Sequence, residues 1–382
     1  MKWYNHVGER NGRRGIGVIV TSGRVVMAMS GGVDSSVSAR LLRDAGYDVV
    51  GLFMRTGAHV EEETCGVSTG PSHRRRGCCS AVDAQDARRV ADQLDIPFYA
   101  LNFESEFDRI EDYFVDEYLR GRTPNPCVVC NTWLKFGRLF DYADTIGARW
   151  IATGHYAQIV ERDGDFGLHR GVDDSKDQSY FLFGLERDRL SRILFPVGGM
   201  QKRDVRALAE KHRLAVAAKP DSQEVCFIPD GDPSGFISRR RPEQCRGPGE
   251  IVDQFGRVVG THSGLAGHTI GQRRGLGVAL GEPRYVLELL PEQNRLVIGP
   301  YELLERRELE AEGVNWLSPM PTAPRRCTVK IRYRHVPANA EVEPTAAGRV
   351  RVRFDSPQFA VTPGQAAVFY DGPRVLGGGW IC

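Results

Sequence analysis

Two short segments of this chain place chemically active residue types at close spacing. The first is Ser30-Gly-Gly-Val-Asp-Ser-Ser36, directly after the apolar run Val25–Met29. A continuous apolar run reads as a strand covered on both faces. Glycines allow a phosphate close to the main chain, and the amides that open the following helix, Ser36–Ala45, attract anions. No lysine follows the glycines, so this is not a Walker A loop. The second segment is Asn125-Pro-Cys-Val-Val-Cys-Asn131. A Cys-x-x-Cys at a helix start favours the thiolate, whereas an unperturbed thiol of pKa about 8.5 is only a few per cent ionised at neutral pH. Alone, the pair reads as a redox couple, half of a zinc site or coincidence, with coincidence the default. A zinc ribbon needs a second pair, and Cys78-Cys79 are adjacent.

The elements that must hold these segments alternate. Strands are expected at Val25–Met29, Asp48–Met54, Pro97–Phe103 and Trp150–Tyr156, with helices at Ser36–Ala45, Val82–Leu94, Phe107–Leu119 and Trp133–Ile146. Ala87, Val90, Ala91 and Leu94 recur at helical spacing. Alternation of this kind predicts an α/β, doubly wound parallel sheet with right-handed crossovers. Ligands then sit beyond the carboxyl ends of the strands, where both the Ser-Gly-Gly turn and Gly154-His155-Tyr156 fall. The pattern breaks between Gly57 and Cys79, which reads as an exposed insertion. Its Cys65, Cys78, Cys79, His59 and His73 match no standard metal spacing. A helical stretch, Lys202 to Leu214, closes the first unit. A hairpin is expected around Gln254-Phe-Gly256. Towards the C-terminus the pattern changes to period two: Cys327, Val329, Ile331 and Tyr333 alternate with polar residues, as do Val350, Val352 and Phe354. With Gln365–Tyr370 and Gly377–Ile381 this predicts a small β-barrel. The expected division is an N-terminal extension (1–20), a catalytic unit (21–220), a small central domain (221–290) and the barrel (291–382).

The chain has 382 residues and a net charge of +2, so bulk charge makes no case for nucleic acid. The charge is uneven: Arg74–Arg76, Arg239–Arg241, Arg273-Arg274 and Arg325-Arg326 are basic clusters, and several in one chain favour a polyanionic partner. Nine cysteines, an odd number without regular spacing, argue against a secreted disulfide framework. There is no apolar run of membrane-span length and no apolar signal core, so a cytoplasmic location is expected.

The Ser30–Ser36 loop resembles the PP-loop of ATP pyrophosphatases. Further segments occur in order: Gly154-His-Tyr-Ala157, Lys176-Asp-Gln-Ser-Tyr-Phe-Leu182, Asp221-Ser-Gln-Glu-Val-Cys-Phe-Ile228, Gly271-Gln-Arg-Arg-Gly-Leu-Gly277 and Thr362-Pro-Gly-Gln365. Together they resemble the tRNA-specific 2-thiouridylases of the MnmA type over nearly the whole chain.

That resemblance implies an enzyme that uses ATP to adenylate the C2 oxygen of uridine 34, the wobble base, in tRNAs for Lys, Glu and Gln, with sulfur then displacing AMP. It implies Cys130 as nucleophile and Cys226 as persulfide carrier. ATP contacts would fall on Ala28, Met29, Ser30, Gly31, Gly32, Val33, Asp34, Ser35, Met54 and Gly154, with Asp34 also organising Mg²⁺. Asn125, Pro126 and Cys127 would meet the target base. His155, Lys176, Asp177, Gln178, Arg332, Tyr333 and Gln365 would contact tRNA. A cysteine desulfurase or relay protein would donate sulfur. Relatives often carry Asp at the position of Cys127; here it is a secondary cysteine in the persulfide route. The alternative is that Cys127, Cys130 and Cys226 together hold a 4Fe–4S cluster that binds sulfide. A rival function is a PP-loop synthetase or amidoligase acting on a small molecule, which has no need of paired cysteines or a basic barrel.

Overall fold

The computed structural model describes residues 22–57, 81–221 and 225–382. The cysteines and histidines of the insertion (His59, Cys65, His73, Cys78 and Cys79), and Arg74–Arg76, lie outside them.

The first unit is a five-stranded parallel sheet in the order β3-β2-β1-β4-β7. Its strands are β1 (Ser22–Ala28), β2 (Tyr47–Arg55), β3 (Phe98–Asn102), β4 (Trp150–Ala152) and β7 (Ile193–Leu194). The central strand β1 pairs with β2 on one side and β4 on the other. Val25, Val26 and Met27 are wholly buried, as a strand covered on both faces requires. Helix α1 (Val33–Asp44) follows the glycine turn and starts three residues earlier than the pattern suggested. Helices α2 (Ala81–Leu94) and α3 (Glu104–Leu119) follow; α2 buries Ala87, Val90, Ala91 and Leu94 along one face. The order of strands reverses between β1 and β4, which puts the ligand crevice there.

Two expectations change. The helix anticipated at Trp133–Ile146 is composite. A short α4 (Pro126–Val129) leads into a π-helix at Cys130–Arg138 and then α5 (Leu139–Thr145). The strand expected to reach Tyr156 stops at Ala152. Gly154 approaches α1 so closely that a β-carbon there would sit 2.7 Å from the Ser35 amide nitrogen, and the chain turns away. It continues as a hairpin, β5 (Ala157–Arg162) and β6 (Asp165–Arg170), in another sheet. Helix α6 (Lys202–Lys211) closes the unit.

Helix α7 (Pro233–Arg240) opens the middle region. Its sheet has the order β10-β11-β8-β9, from β8 (Gly249–Asp253), β9 (Val258–His262), β10 (Tyr285–Leu290) and β11 (Arg295–Gly299). The β8–β9 hairpin is the one expected around Gln254-Phe-Gly256. Strand β11 pairs with β10 and β8, which places residues 295–299 with the middle sheet rather than with the barrel.

The barrel comprises β12 (Glu305–Trp316), β13 (Arg325–Lys330), β14 (Ala338–Ala346), β15 (Arg349–Phe359), β16 (Ala366–Asp371) and β17 (Arg374–Ile381). It closes through β12–β17, and the β5–β6 hairpin extends β17, tying the catalytic unit to the barrel. Val329, Val342, Val352 and Phe369 fill its centre.

Candidate active site

The loop after β1 is built around its own hydroxyls. The Ser35 hydroxyl accepts from the Ser30 amide at 3.2 Å, lies 3.2 Å from the Ser30 hydroxyl, and donates to the Gly32 carbonyl at 3.1 Å. Ser36 donates to the same carbonyl at 2.8 Å. Both serine hydroxyls thus end on the Gly32 carbonyl, and the amides of the first turn of α1, which have no partner within a helix, are the groups that can meet an anion. Gly31 has φ +70°, and a β-carbon there would lie 2.3 Å from the Asp83 carbonyl oxygen. Only glycine fits. Ser30 is exposed and Asp34 half-buried at the crevice mouth.

Charged groups outside the motif hold this loop. Lys202, on the first turn of α6, donates to both oxygens of Asp34 at 2.8 Å. Tyr156 donates to Asp34 Oδ1 at 2.7 Å. Burial first, and then the Asp34 charge, push the Tyr156 hydroxyl far up, so it stays a donor. Lys202 also reaches Asp221 at 2.9 Å, and Asp221 binds Lys176 at 2.9 Å and Arg206 at 2.6 Å. Burial would raise the Asp221 carboxyl, but Lys202 and Lys176 outweigh it and bring it down to about 2. Lys219 donates to the Gly31 carbonyl at 2.9 Å, to Asp83 at 2.6 Å and to Asp86 at 2.7 Å. The sequence offered no motif for Lys202, Lys219 or Arg206 as site residues, and Tyr156, although inside the Gly154-His155-Tyr156 segment, had no role assigned to it.

The cysteines lie on a second structural device. Asn125 caps α4, its side chain accepting from the Val128 amide at 3.4 Å, with Pro126 at the first helical position. Cys127 is exposed on this turn, and Cys130 begins the π-helix, half-buried. π-Helical turns are uncommon and occur often at functional sites. Cys226 is also half-buried and packs against the same apolar cluster as Cys130. Beside it, Phe227 meets Phe107 and Phe114 edge-on at 5.7 and 5.2 Å. Among the described residues no three His, Cys, Asp or Glu side chains are grouped around a point that could hold a single metal ion. Cys327 is inert by environment: burial pushes its thiol up to about 12. Cys245 is half-buried and Cys382 exposed.

The residues implied as tRNA contacts differ widely in access. His155 is buried between Phe136 and Phe195, hydrogen-bonded to Thr153 at 2.7 Å, and desolvation keeps it neutral. Asp177 is 2 % exposed and accepts from the Gly171 and Ser179 amides, the Ser179 hydroxyl and Arg170. Both side chains are internal in this conformation, and Asp177 organises its own turn. Gln178 accepts from the Tyr156 amide at 3.0 Å. Gln365 donates to the Thr123 and Pro124 carbonyls at 3.2 and 3.1 Å, clamping the barrel onto the segment that leads into α4. Arg332 donates to the carbonyls of Phe359 and Ala360. Tyr333 lies against Phe181 with ring centres 4.6 Å apart. Lys176 remains partly exposed beside Asp221. Ala28, Met29 and Val33 are buried behind the loop, and Met54 is partly buried at the end of β2.

Comparison with known proteins agrees with this layout. Residues 23–230 match the family described as tRNA methyl transferase HUP domain, residues 234–300 the tRNA methyl transferase PRC-barrel domain, and residues 306–381 the aminomethyltransferase beta-barrel domain. A protein of Rhodopirellula baltica named tRNA-specific 2-thiouridylase MnmA is 48% identical, over 94% of this chain and 96% of its own. The protein of that name from Geotalea uraniireducens is 49% identical over 94% of each chain. One from Solibacter usitatus is 49% identical over 94% of this chain and 98% of its own. With a parallel-sheet loop domain, a middle sheet and a closed barrel in the same order, and identity at this level over nearly its whole length, this chain belongs to the tRNA-specific 2-thiouridylase MnmA family.

Proposed function

We propose that this chain is an ATP-dependent tRNA sulfurtransferase that converts the wobble uridine to 2-thiouridine and releases AMP and pyrophosphate. The observation that carries the proposal is the loop itself: α1 begins at the glycine turn directly after the central strand β1, in a chain that also places Cys127 and Cys130 on one helical segment. A uridine C2 oxygen is a poor leaving group until it is esterified to phosphate, and a thiolate or persulfide is the nucleophile suited to displace it.

In the first step the C2 oxygen attacks the α-phosphorus of ATP. The bond to the β-phosphate oxygen breaks, and pyrophosphate leaves into the loop amides, Ser30 and Lys202. Mg²⁺ is commonly held by one or two carboxylates together with substrate phosphates; Asp34, whose oxygens are held by Lys202 and Tyr156 here, is the carboxylate that would take that role. In the second step a persulfide on Cys226 attacks C2 through its terminal sulfur, and AMP departs with the oxygen. Cys130 then attacks the Cys226 sulfur, releasing 2-thiouridine and leaving a Cys130–Cys226 disulfide. A thiol reductant and a fresh sulfur donor, a desulfurase or relay protein, restore the enzyme. Alternatively Cys130 releases sulfide from the persulfide before the attack. Cys127 is secondary, since an exposed thiol on the same turn is not required by either route. The steps above are written for the persulfide route; in the cluster alternative Cys127, Cys130 and Cys226 would be the ligands and the cluster would supply the sulfide. Among the described residues no helix is long and apolar enough to cross a membrane, and we place the reaction in the cytoplasm with tRNA as its partner.

The test is to incubate the protein with tRNA, ATP and a sulfide source under anaerobic conditions, then measure nucleotides and digested tRNA nucleosides. AMP formation together with 2-thiouridine at the wobble position is expected. ADP as the product would refute the loop chemistry. Activity strictly proportional to bound iron would overturn the persulfide route.

A further inference from the structure

The arginine clusters of the sequence are not equivalent once folded. Arg240 pairs with Asp108, Glu111 and Asp112, and Arg241 with Asp112. Arg325 pairs with Asp371 at 2.9 Å and Arg326 with Asp355 at 2.6 Å. These guanidinium groups already face carboxylates. Arg273 and Arg274 are exposed, and among the described residues neither makes an ion pair.

The loop presenting them is fixed from several sides. Gln272 accepts from the Thr269 amide at 3.1 Å and donates to the Arg274 carbonyl at 2.9 Å. Gly271 and Gln272 exchange backbone hydrogen bonds with Val286 at 2.8 and 2.9 Å. Leu276 is buried in the core of the middle sheet. Gly271, at φ +85°, packs so tightly that a β-carbon there would lie 2.6 Å from that of Ala360. Ala360 is one of the two carbonyls held by Arg332. Arg332 therefore fixes the ledge on which the loop rests, and the open guanidinium groups lie one step further out. Fixing a loop beforehand lowers the entropy cost of binding.

We propose that the Gly271–Gly277 loop grips the phosphate backbone of the tRNA through Arg273 and Arg274, while Arg332 acts from behind as a positioning residue. This rests on the tRNA substrate proposed above. Two adjacent unpaired guanidinium groups suit a chain of phosphates, whose neutralisation releases counterions.

The experiment is tRNA binding by anisotropy across a salt series for the full-length wild type, Arg273→Ala/Arg274→Ala and Arg325→Ala/Arg326→Ala. Losing two phosphate contacts should reduce the magnitude of the slope of log K against log salt by about 1.4 to 1.8. The Arg325/Arg326 variant should keep the wild-type slope, and all three proteins should share one melting temperature and one affinity for ATP. A steep wild-type slope retained in the Arg273/Arg274 variant would overturn the inference. Loss of sulfur transfer from a donor protein with that slope unchanged would likewise overturn it, assigning the loop to the protein partner. No salt-dependent tRNA binding by the wild type would overturn the substrate reading instead.

Discussion

Lys219→Met tests whether the loop is held in place or merely tolerated. The Lys219 ammonium has three donors, and the Gly31 carbonyl, Asp83 and Asp86 accept all three. The three charged side chains are only 12–19% exposed. Removing one partner of a fully buried ion pair costs about 3–5 kcal/mol. Partial exposure reduces this to about 2–3 kcal/mol. At roughly 2–4 °C per kcal/mol for a domain of 150–250 residues, the melting temperature of the catalytic unit should fall by about 4–12 °C. A second effect is chemical. The Gly31 carbonyl loses the donor that keeps it turned from the crevice, so the neighbouring amides no longer converge on one point. A misplacement of about 1 Å can cost on the order of a hundredfold in rate. The two effects separate in the triple variant K219M/D83N/D86N, which removes the charges together and should recover most of the stability. AMP formation, measured by chromatography at saturating tRNA, should stay depressed in the triple variant as in the single one. Recovery of both stability and AMP formation by the triple variant would refute the positioning role and reduce Lys219 to a counter-charge.

Asp34→Ala and Ser30→Ala should abolish AMP and pyrophosphate formation while leaving circular dichroism unchanged; full turnover by either would remove that residue from the phosphate site. Cys130→Ser and Cys226→Ser should stop 2-thiouridine formation yet still release AMP, whereas Cys127→Asp should keep substantial activity, all read by nucleoside mass spectrometry. Mild alkylation near neutral pH should label Cys127, which is exposed, and spare Cys327, whose thiol burial pushes up to about 12; peptide mapping that finds the reverse would contradict the burial. The Asp221 carboxyl is lowered from 3.8 to about 2 by its lysines against the opposing effect of burial, so its stabilisation is present above pH 4 and is lost as pH falls towards 2. Asp221→Asn should flatten that acid limb of the melting curve.

Local patterns predicted four of the five strands of the first sheet, where apolar runs mark them, and missed the two-residue β7 (Ile193–Leu194). They failed at Thr153–Tyr156, where the determinant is the contact of Gly154 with α1, a fact of packing rather than propensity. They gave no element at β12. Its sequence Glu305-Arg-Arg-Glu-Leu-Glu-Ala-Glu312 is rich in residues that favour helices, yet it is a strand because β15 and β17 flank it and bury Leu309 and Ala311. At the candidate site the loop and the cysteine pair were visible as contiguous motifs. Lys202 and Lys219 were not, since each acts on a partner more than 100 residues away and carries no local signature; Tyr156 lay inside a motif, but its bond to Asp34, 122 residues away, was not legible.

The same limit applies to charge, where it bears on substrate choice. Read along the chain, Arg349, Arg351 and Arg353 look like a basic stripe on one strand. Register decides otherwise. In the β12–β15 ladder Glu312 stands opposite Arg349, Glu310 opposite Arg351 and Glu308 opposite Arg353. Each pair lies within salt-bridge distance, at 2.8, 4.0 and 3.2 Å. Opposite charges directly across a ladder contribute roughly 0.2–1 kcal/mol each to strand pairing, so this stripe serves the barrel's register. A linear count of arginines thus overstates the attraction of the barrel for a polyanion. Arg273 and Arg274, exposed and without an ion pair among the described residues, are groups left open to phosphate.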